Sequence, residues 1–180
     1  MIVVGIDPGQ QGALAFIDVK KKTQGISDMP LLPERGIDGK ELFNMLSAKK
    51  KEGEIYVVIE KAQSMPGQSS VAMFNYGGGY WSILTVLRIL DIPFEEVRSN
   101  KWKKEFGLSG LKIKKDKGEK PTQEEKNAAK KQRKEMAVKM AMQMFPKLKN
   151  EFVTEGGRLL DGRAEALLIA EWGRRKLGAK

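Results

Sequence analysis

Cysteine and histidine are both missing from this sequence of 180 residues. Without cysteine there can be no disulfides, thiolate nucleophiles or zinc-thiolate sites, and without histidine no imidazole bases or Ser-His-Asp triads. An enzyme of this composition has to work with carboxylates, hydroxyls and cationic side chains. Sites built from oxygen ligands alone favour hard cations such as Mg2+ or Mn2+ over Zn2+ or Cu2+.

Long apolar runs are also missing. We find no stretch of about 18 apolar residues that could span a membrane, and no secretory leader with a cleavage site. The formal net charge is +10, from 33 Lys and Arg against 23 Asp and Glu. Such a surface attracts polyanions, and nucleic acid fits it better than a membrane does. The length predicts one domain over residues 1–180.

The first dozen residues contain the most informative pattern. Ile2–Ile6 is a short apolar run rich in β-branched residues, and Pro8 and Gly9 follow it closely. This pattern predicts a strand buried on both faces, with Asp7 at its carboxyl end. The carboxyl ends of such strands face the crevice where α/β folds place their chemistry. Asp-Pro-Gly is also good turn chemistry, so this stretch alone leaves a functional and a purely structural interpretation open.

The same pattern occurs again at residues 54–60, where a second apolar run ends in Glu60. If the two strands are parallel neighbours joined by a helix, Asp7 and Glu60 lie side by side at one sheet edge. Two carboxylates at that distance repel each other unless a cation lies between them. We therefore expect an α/β fold with a cation site at this edge.

Two further acids open the last apolar segment. Asp161 and Glu165 are four residues apart, so on a helix both carboxylates lie on one face. A helix that packs on the sheet and directs them toward Asp7 and Glu60 would assemble four oxygen-donor groups. Four carboxylates can hold two divalent ions and a phosphodiester, the arrangement used for in-line displacement by water.

The remaining segments predict strands at residues 12–19, 23–29 and 93–98 and helices at 39–50 and 123–145, the last with methionines packed in the core. A basic segment at about 110–134 is either a solvated helix face or mobile loop, or a contact to the DNA backbone. Residues 71–90 are helical in pattern, although three consecutive glycines begin at Gly77. The glycines indicate either a break before a helix that starts near Tyr80 or close approach of another backbone.

These motifs together resemble RuvC-type Holliday junction resolvases of the ribonuclease H-like superfamily, in their phage and organellar branch. The resemblance extends over residues 1–173. The matching segments are Val4–Gly9 with Gly12, Val57–Glu60, Met65–Gln68, Phe74–Gly77, Trp102–Lys104 and Asp161–Ala170.

The resemblance implies a mixed five-stranded sheet flanked by helices, a homodimer, and paired nicking of opposed strands at a four-way DNA junction. It implies two Mg2+ ions per active site, with Mn2+ able to substitute. The implied catalytic and metal-binding residues are Asp7, Glu60, Asp161 and Glu165. The implied DNA-binding residues are Met65, Gln68, Phe74, Asn75, Lys101, Lys104, Lys114, Lys115, Lys117 and Arg133. The expected location is the cytoplasm or nucleoid, or the host cytoplasm if the chain is phage-encoded.

This sequence departs from the family at two places. Its last two acids are four residues apart, whereas bacterial RuvC spaces them by three, so Asp161 matches less directly than Glu165. The segment at 110–133 is longer than the family's usual link, and Lys115 and Lys117 match its basic residues only loosely.

Three functional hypotheses follow from the sequence. The first is a junction resolvase, with residues 71–90 as the dimer interface unless both faces of that helix are buried within the monomer. The second is another ribonuclease H-like nuclease, acting on RNA-DNA hybrids or branched DNA. The third is a junction-binding protein that does not cut, although such a protein gains nothing from carboxylates that repel phosphate.

Overall fold

The computed structural model describes residues 1–34, 36–63, 67, 69–109 and 121–178. The strands are β1 (Ile2–Asp7), β2 (Ala13–Asp18), β3 (Thr23–Asp28), β4 (Ile55–Glu60) and β5 (Phe94–Val97). The helices are α1 (Gly39–Glu52), α2 (Ser70–Ile89), α3 (Ser99–Glu105), α4 (Gln123–Met144) and α5 (Asp161–Lys176), with a 3-10 helix at Pro146–Phe152.

The strands form one mixed sheet in the order β3-β2-β1-β4-β5. β1, β2 and β3 are antiparallel neighbours, and β4 and β5 run parallel to β1. The parallel pairs need crossovers, which α1 and α2 supply. The predicted five-stranded sheet flanked by helices is confirmed, and Asp7 and Glu60 end neighbouring parallel strands.

Each face of the sheet buries its own apolar core. Ala13, Ala15 and Ile17 of β2 face the cluster that contains α3, α4 and α5. Leu14 and Phe16, which alternate with them, face the cluster formed with α1 and α2. This period of two is what a strand covered on both faces requires.

Helix α5 lies unusually close to β1 because both elements have small residues where they cross. A Cβ atom on Gly5 would lie 2.1 Å from the backbone oxygen of Ala166 and 2.3 Å from the backbone nitrogen of Ala170. A Cβ atom on Gly162 would lie 2.1 Å from the backbone oxygen of Gln11. These contacts fix the first turns of α5, and with them Asp161 and Glu165, against the end of β1.

Helix α2 is continuous from Ser70 to Ile89, so the interpretation of the glycines as a break is wrong. Each glycine costs roughly 1 kcal/mol of helix propensity. Burying each large side chain of the following turns, including Tyr80, Ile83 and Leu87, contributes about 1.5–3 kcal/mol. The two nearest atoms to a Cβ on Gly79 would be those of the Ile37 side chain, the closer at 3.0 Å, so this glycine also allows close packing.

The prediction that the methionines of α4 pack in the core is confirmed. The methionines Met136, Met140 and Met144 pack against the core beside buried Ala137 and Ala141, as predicted. Among the described residues, no helix is long and apolar enough to cross a membrane.

Candidate active site

Asp7 lies at the carboxyl end of β1, where Gly9 donates a backbone N–H to its Oδ1 at 3.4 Å. Burial, together with the negative charges of Glu165 and Glu60, raises the pKa of Asp7 from 3.8 to about 7. The Gly9 hydrogen bond and the Lys103 ammonium oppose this rise without cancelling it. Burial is the largest cause of the rise, and the two neighbouring carboxylates add to it through interactions that act over short distances. The fold therefore brings Asp7, Glu60 and Glu165 together.

Helix α3 supplies a partner to each of the other two carboxylates. The Nε1–H of Trp102 donates to Oε2 of Glu60 at 2.7 Å. The Nζ of Lys103 donates to Oε2 of Glu165 at 2.9 Å. Burial raises the pKa of Glu165, and Lys103 limits that rise. Two consecutive residues of one short helix therefore contact two acids from different elements.

Asp161 occupies a different position from the other three acids. It is the first residue of α5, and its Oδ2 lies 2.7 Å from Nζ of Lys134 on α4. Its charge contributes to the raised pKa of Glu165. The structure thus places Asp161 next to Glu165, at the outer side of the group.

In this conformation no three acidic side chains among the described residues are arranged to hold a metal ion. Lys103, Trp102 and Lys134 contact oxygens of Glu165, Glu60 and Asp161 instead. The chemistry of the donor set nevertheless fits a hard cation, because the group consists of partly buried carboxylates whose negative charges repel one another. A cation bound there would compete with the Lys103 ammonium for the charge of Glu165.

Tyr76 on α2 interacts with the charges of the same three acids, although the sequence did not predict it as a site residue. Burial and the charges of Asp7, Glu60 and Glu165 raise the pKa of Tyr76 to about 12. The hydroxyl group therefore stays protonated and available as a donor at neutral pH. Tyr76 is part of the Phe74–Gly77 segment, so the motif itself could have indicated it.

The residues implied for DNA binding are distributed over three helices. Phe74 is 82% exposed on α2, and Asn75 beside it is partly buried. Lys104 is exposed on α3, whereas Nζ of Lys101 lies 5.4 Å from the ring centroid of Trp172. Arg133 on α4 is exposed and donates to the backbone oxygen of Ala129. The predictions for Met65, Gln68, Lys114, Lys115 and Lys117 lie outside the described residues.

Trp102, Lys103 and Lys134 are the contacts of the acids that sequence reasoning did not assign. A topological signal existed for the first two. Val97 at the end of β5 pairs with Glu60 in the parallel register, so the helix that follows must begin at the same sheet edge. No comparable signal existed for Lys134, because its position depends on how α4 packs against α5.

The raised pKa of Asp7 predicts an unusual dependence of stability on pH in the metal-free protein. The unfolded chain loses the Asp7 proton near pH 3.8, whereas the folded chain keeps it to about pH 7. The folded state therefore loses stability as pH rises between these values, by at most about 4 kcal/mol, since each pKa unit corresponds to about 1.4 kcal/mol.

Asp7→Asn removes this titration, so we expect the variant to unfold at higher urea concentration than wild type at pH 7.5 in EDTA. Near pH 4 the two proteins should be nearly equal. Urea unfolding at both pH values measures the difference, and the comparison cancels the contributions of acids that do not interact with Asp7. A variant less stable than wild type at pH 7.5 would contradict the assignment.

Comparison with known proteins establishes the fold. No protein-family model and no curated protein sequence matches this chain. The chain is similar to the Thermus thermophilus RuvC structure, with a TM-score of 0.53, 16% identity and coverage of 99% of this chain and 98% of that one. It is also similar to T. thermophilus RuvC in complex with Holliday junction substrate, with a TM-score of 0.52 and the same identity and coverage. The mixed sheet and its flanking helices are therefore those of the ribonuclease H-like RuvC fold.

Proposed function

We propose that this protein is a Holliday junction resolvase, a metal-dependent endonuclease that makes paired nicks in opposed strands of four-way DNA junctions. The observation that supports this most strongly is the environment of Asp7 at the carboxyl end of β1, where burial, together with the charges of Glu165 and Glu60, raises the pKa of Asp7 to about 7. The chain has a net charge of +10, which suits phosphates, whereas a cluster of acids would repel them. A bound divalent cation would remove this conflict, because it attracts both the carboxylates and the phosphates. The proposal includes membership of the phage and organellar branch and a role in DNA recombination and repair.

In this proposal Asp7, Glu60 and Glu165 hold the divalent ions, and Asp161 completes the set beside Glu165. Mg2+ there, or Mn2+ in its place, would stabilise charge on the phosphodiester and provide water as the nucleophile. The protein's own groups have separate tasks. Lys103 of α3, once released from Glu165, would be a cation available to the phosphate. The protonated Tyr76 hydroxyl of α2 would be a hydrogen-bond donor.

A basic cleft next to Asp161 offers a path for the DNA strand. It measures about 740 Å³ and lies between α4 and residues 157–161. Its cationic lining residues are Lys131, Lys134, Lys139 and Arg158. Cations placed along a groove that reaches Asp161 would hold the DNA backbone while the acids act on one phosphate.

Salt dependence tests this path. Replacing Lys131 and Arg158 with methionine should reduce the slope of log affinity against log salt by about 0.9 for each lost phosphate contact. Fluorescence anisotropy with a labelled junction in Ca2+ gives the slope. Lys20 and Lys51 provide the control, because both are exposed and lie at the other end of the strands from Asp7. Equal slopes for the two double variants would show that the cleft does not contact DNA.

Helix α2 has an exposed stripe that suits a second copy of the chain. The stripe residues recur every three or four positions and are all exposed: Val71, Phe74, Gly78, Trp81, Thr85 and Arg88. A Cβ on Gly78 would meet nothing within 4 Å, so another helix could approach closely there. A four-way junction has approximate two-fold symmetry, and one chain has one set of acids, so paired nicking requires two chains related by a two-fold axis. Tyr80, Leu84 and Leu87, which the sequence also suggested for the interface, are buried within the monomer.

We expect Trp81→Glu to convert a dimer into a monomer. Trp81 is 59% exposed at the middle of the stripe, and a carboxylate there would lose its hydration when the stripe is buried in the dimer. Light scattering should report about twice the 20.1 kDa chain mass for wild type and the single mass for the variant. Leu31→Glu is the control, since Leu31 is 46% exposed outside the stripe and should leave the dimer intact. A wild-type monomer would remove the paired-nick mechanism.

A panel of labelled substrates tests the proposed function. Four-way junction, linear duplex, RNA-DNA hybrid and flap substrates are incubated with the protein, with Mg2+ or with EDTA. The proposal predicts symmetric cuts in the junction alone and only with Mg2+. Cutting of the hybrid in preference to the junction would favour the general ribonuclease H-like nuclease. Tight junction binding without cutting in Mg2+ or Mn2+ would favour the non-cutting binder.

A further inference from the structure

The contact between Trp102 and Glu60 joins a buried aromatic residue to a candidate catalytic acid. The Trp102 side chain is fully buried, and its Nε1–H donates to Oε2 of Glu60 at 2.7 Å. The contact follows from the topology. β5 pairs with β4 so that Val97 is opposite Glu60, and α3 begins two residues later. The indole therefore arrives beside the carboxylate on a rigid element.

A buried indole N–H needs an acceptor, but that acceptor can be any oxygen. Here it is one oxygen of an acid that β4 directs toward Asp7. The other oxygen, Oε1 of Glu60, accepts no hydrogen bond from the described part of the chain. A hydrogen bond to an ionised acceptor is short and directional, so it restricts rotation of the carboxylate. Within the described part of the chain, the arrangement holds one oxygen of Glu60 and leaves the other available.

We propose that Trp102 is a positioning residue for Glu60, whose indole N–H fixes the carboxylate so that Oε1 is presented to a divalent cation. This inference builds on the proposed function and adds a residue to it. Partners that orient a metal ligand typically change metal affinity by about 10- to 100-fold when they are lost. Trp102 would act through Glu60, without touching the cation or the DNA.

The competing explanation is that Trp102 only fills the core. Its ring does contact Phe106, with centroids 6.4 Å apart, and the Lys103 ammonium lies 4.9 Å from the ring centroid. Trp172 provides a matched comparison. It is 4% exposed in the same apolar cluster and makes ring contacts to Lys101 and Lys176, but it donates to no carboxylate in the described part of the chain.

The first test uses the indole N–H resonances of the metal-free protein. The chain has three tryptophans, so Trp81→Phe and Trp172→Phe identify the Trp102 signal. We expect Glu60→Ala to shift that signal strongly upfield and to leave the other two in place. Glu165→Ala, which removes an acid that Trp102 does not contact, should cause a smaller change. An unmoved Trp102 signal in Glu60→Ala would overturn the inference, whatever the protein does to DNA.

The second test measures Mg2+ binding by calorimetry in the absence of DNA. Trp102→Phe keeps an aromatic ring and removes the N–H, and it should weaken Mg2+ binding about 10-fold. Trp172→Phe makes the same change of size in the same core and should bind Mg2+ as wild type does. Equal weakening in both variants would assign Trp102 to packing alone.

The two tests separate this inference from the proposed function. If the protein binds Mg2+ and Trp102→Phe weakens that binding selectively, the positioning role stands even if no junction is cut. If Trp102→Phe does not fold, the Trp102 indole N–H signal of the wild-type protein is the deciding measurement. That signal should move when Mg2+ is added, because a cation bound to Glu60 would offset the negative charge that the indole N–H contacts. A signal insensitive to both Mg2+ and Glu60→Ala rejects the role.

Discussion

Asp7→Asn should reduce junction cleavage by about a thousandfold or more while leaving junction binding equal or tighter. The carboxylate would be lost from the centre of the acid cluster, and a bound metal contributes several kcal/mol of transition-state stabilisation, at about 1.4 kcal/mol per factor of ten in rate. Binding should not suffer, because the substitution removes a negative charge that faces phosphate. Single-turnover cleavage in Mg2+ and anisotropy in Ca2+ measure the two effects separately.

Asp91→Asn is the matched control for this result. Asp91 is exposed, has a backbone φ of 48° that asparagine tolerates, and precedes β5 at the sheet edge opposite Asp7. It makes the same charge change without touching the cluster, so its cleavage rate should equal that of wild type. If Asp7→Asn cut junctions at the wild-type rate with the same dependence on Mg2+, Asp7 would not be a metal ligand.

Gly5→Ala should be the most destabilising single-methyl addition in the described sheet. The new Cβ would fall 2.1 Å from the backbone oxygen of Ala166 and 2.3 Å from the backbone nitrogen of Ala170, and backbone atoms cannot turn aside. Overpacking of this kind costs about 3 kcal/mol. The helix that must shift contains Glu165, so cleavage should fall even in molecules that fold.

Gly25→Ala makes the same substitution at an open position. Gly25 lies on β3, and a Cβ there would meet nothing within 4 Å. We expect its stability to stay within about 0.5 kcal/mol of wild type, as for surface substitutions generally. Urea unfolding of the two variants measures the difference. Equal stability of the two would mean that α5 does not press on β1 as described.

The strands could be predicted because their signals in the sequence are local, and the mixed five-stranded sheet was implied by the resemblance to the RuvC-type family. Ile2–Ile6 and Ile55–Ile59 are buried apolar runs, and the rule for parallel crossovers then places Asp7 and Glu60 on neighbouring strands. The same reasoning placed Asp161 and Glu165 on one helix.

What the sequence could not supply depends on packing between distant elements. Lys134 reaches Asp161 only because α4 and α5 pack together, and charge patterning along α4 does not reveal that choice. The sequence left the continuity of α2 undecided for a related reason. Helix propensity at Gly77–Gly79 is a local property, whereas burial of Ile83 and Leu87 against the sheet is not.

Phe43 shows the same limit of sequence-based prediction for a single side chain. The apolar pattern of α1 predicts that Phe43 shares a buried face with Leu42 and Leu46, but only the two leucines are fully buried. Phe43 is 37% exposed at the border of that face, where a shift of one position along a helix turns a side chain by about 100°.

A cruciform plasmid offers the most direct test of paired, metal-dependent cutting. The wild-type protein is mixed with the supercoiled plasmid, and cutting is started by adding Mg2+ together with competitor junction, so that each plasmid is cut within one encounter. We expect linear DNA to form without accumulation of nicked circles, and no cutting when EDTA replaces Mg2+. Nicked circles as the only product, or cutting that persists in EDTA, would contradict a dimeric resolvase built on these carboxylates.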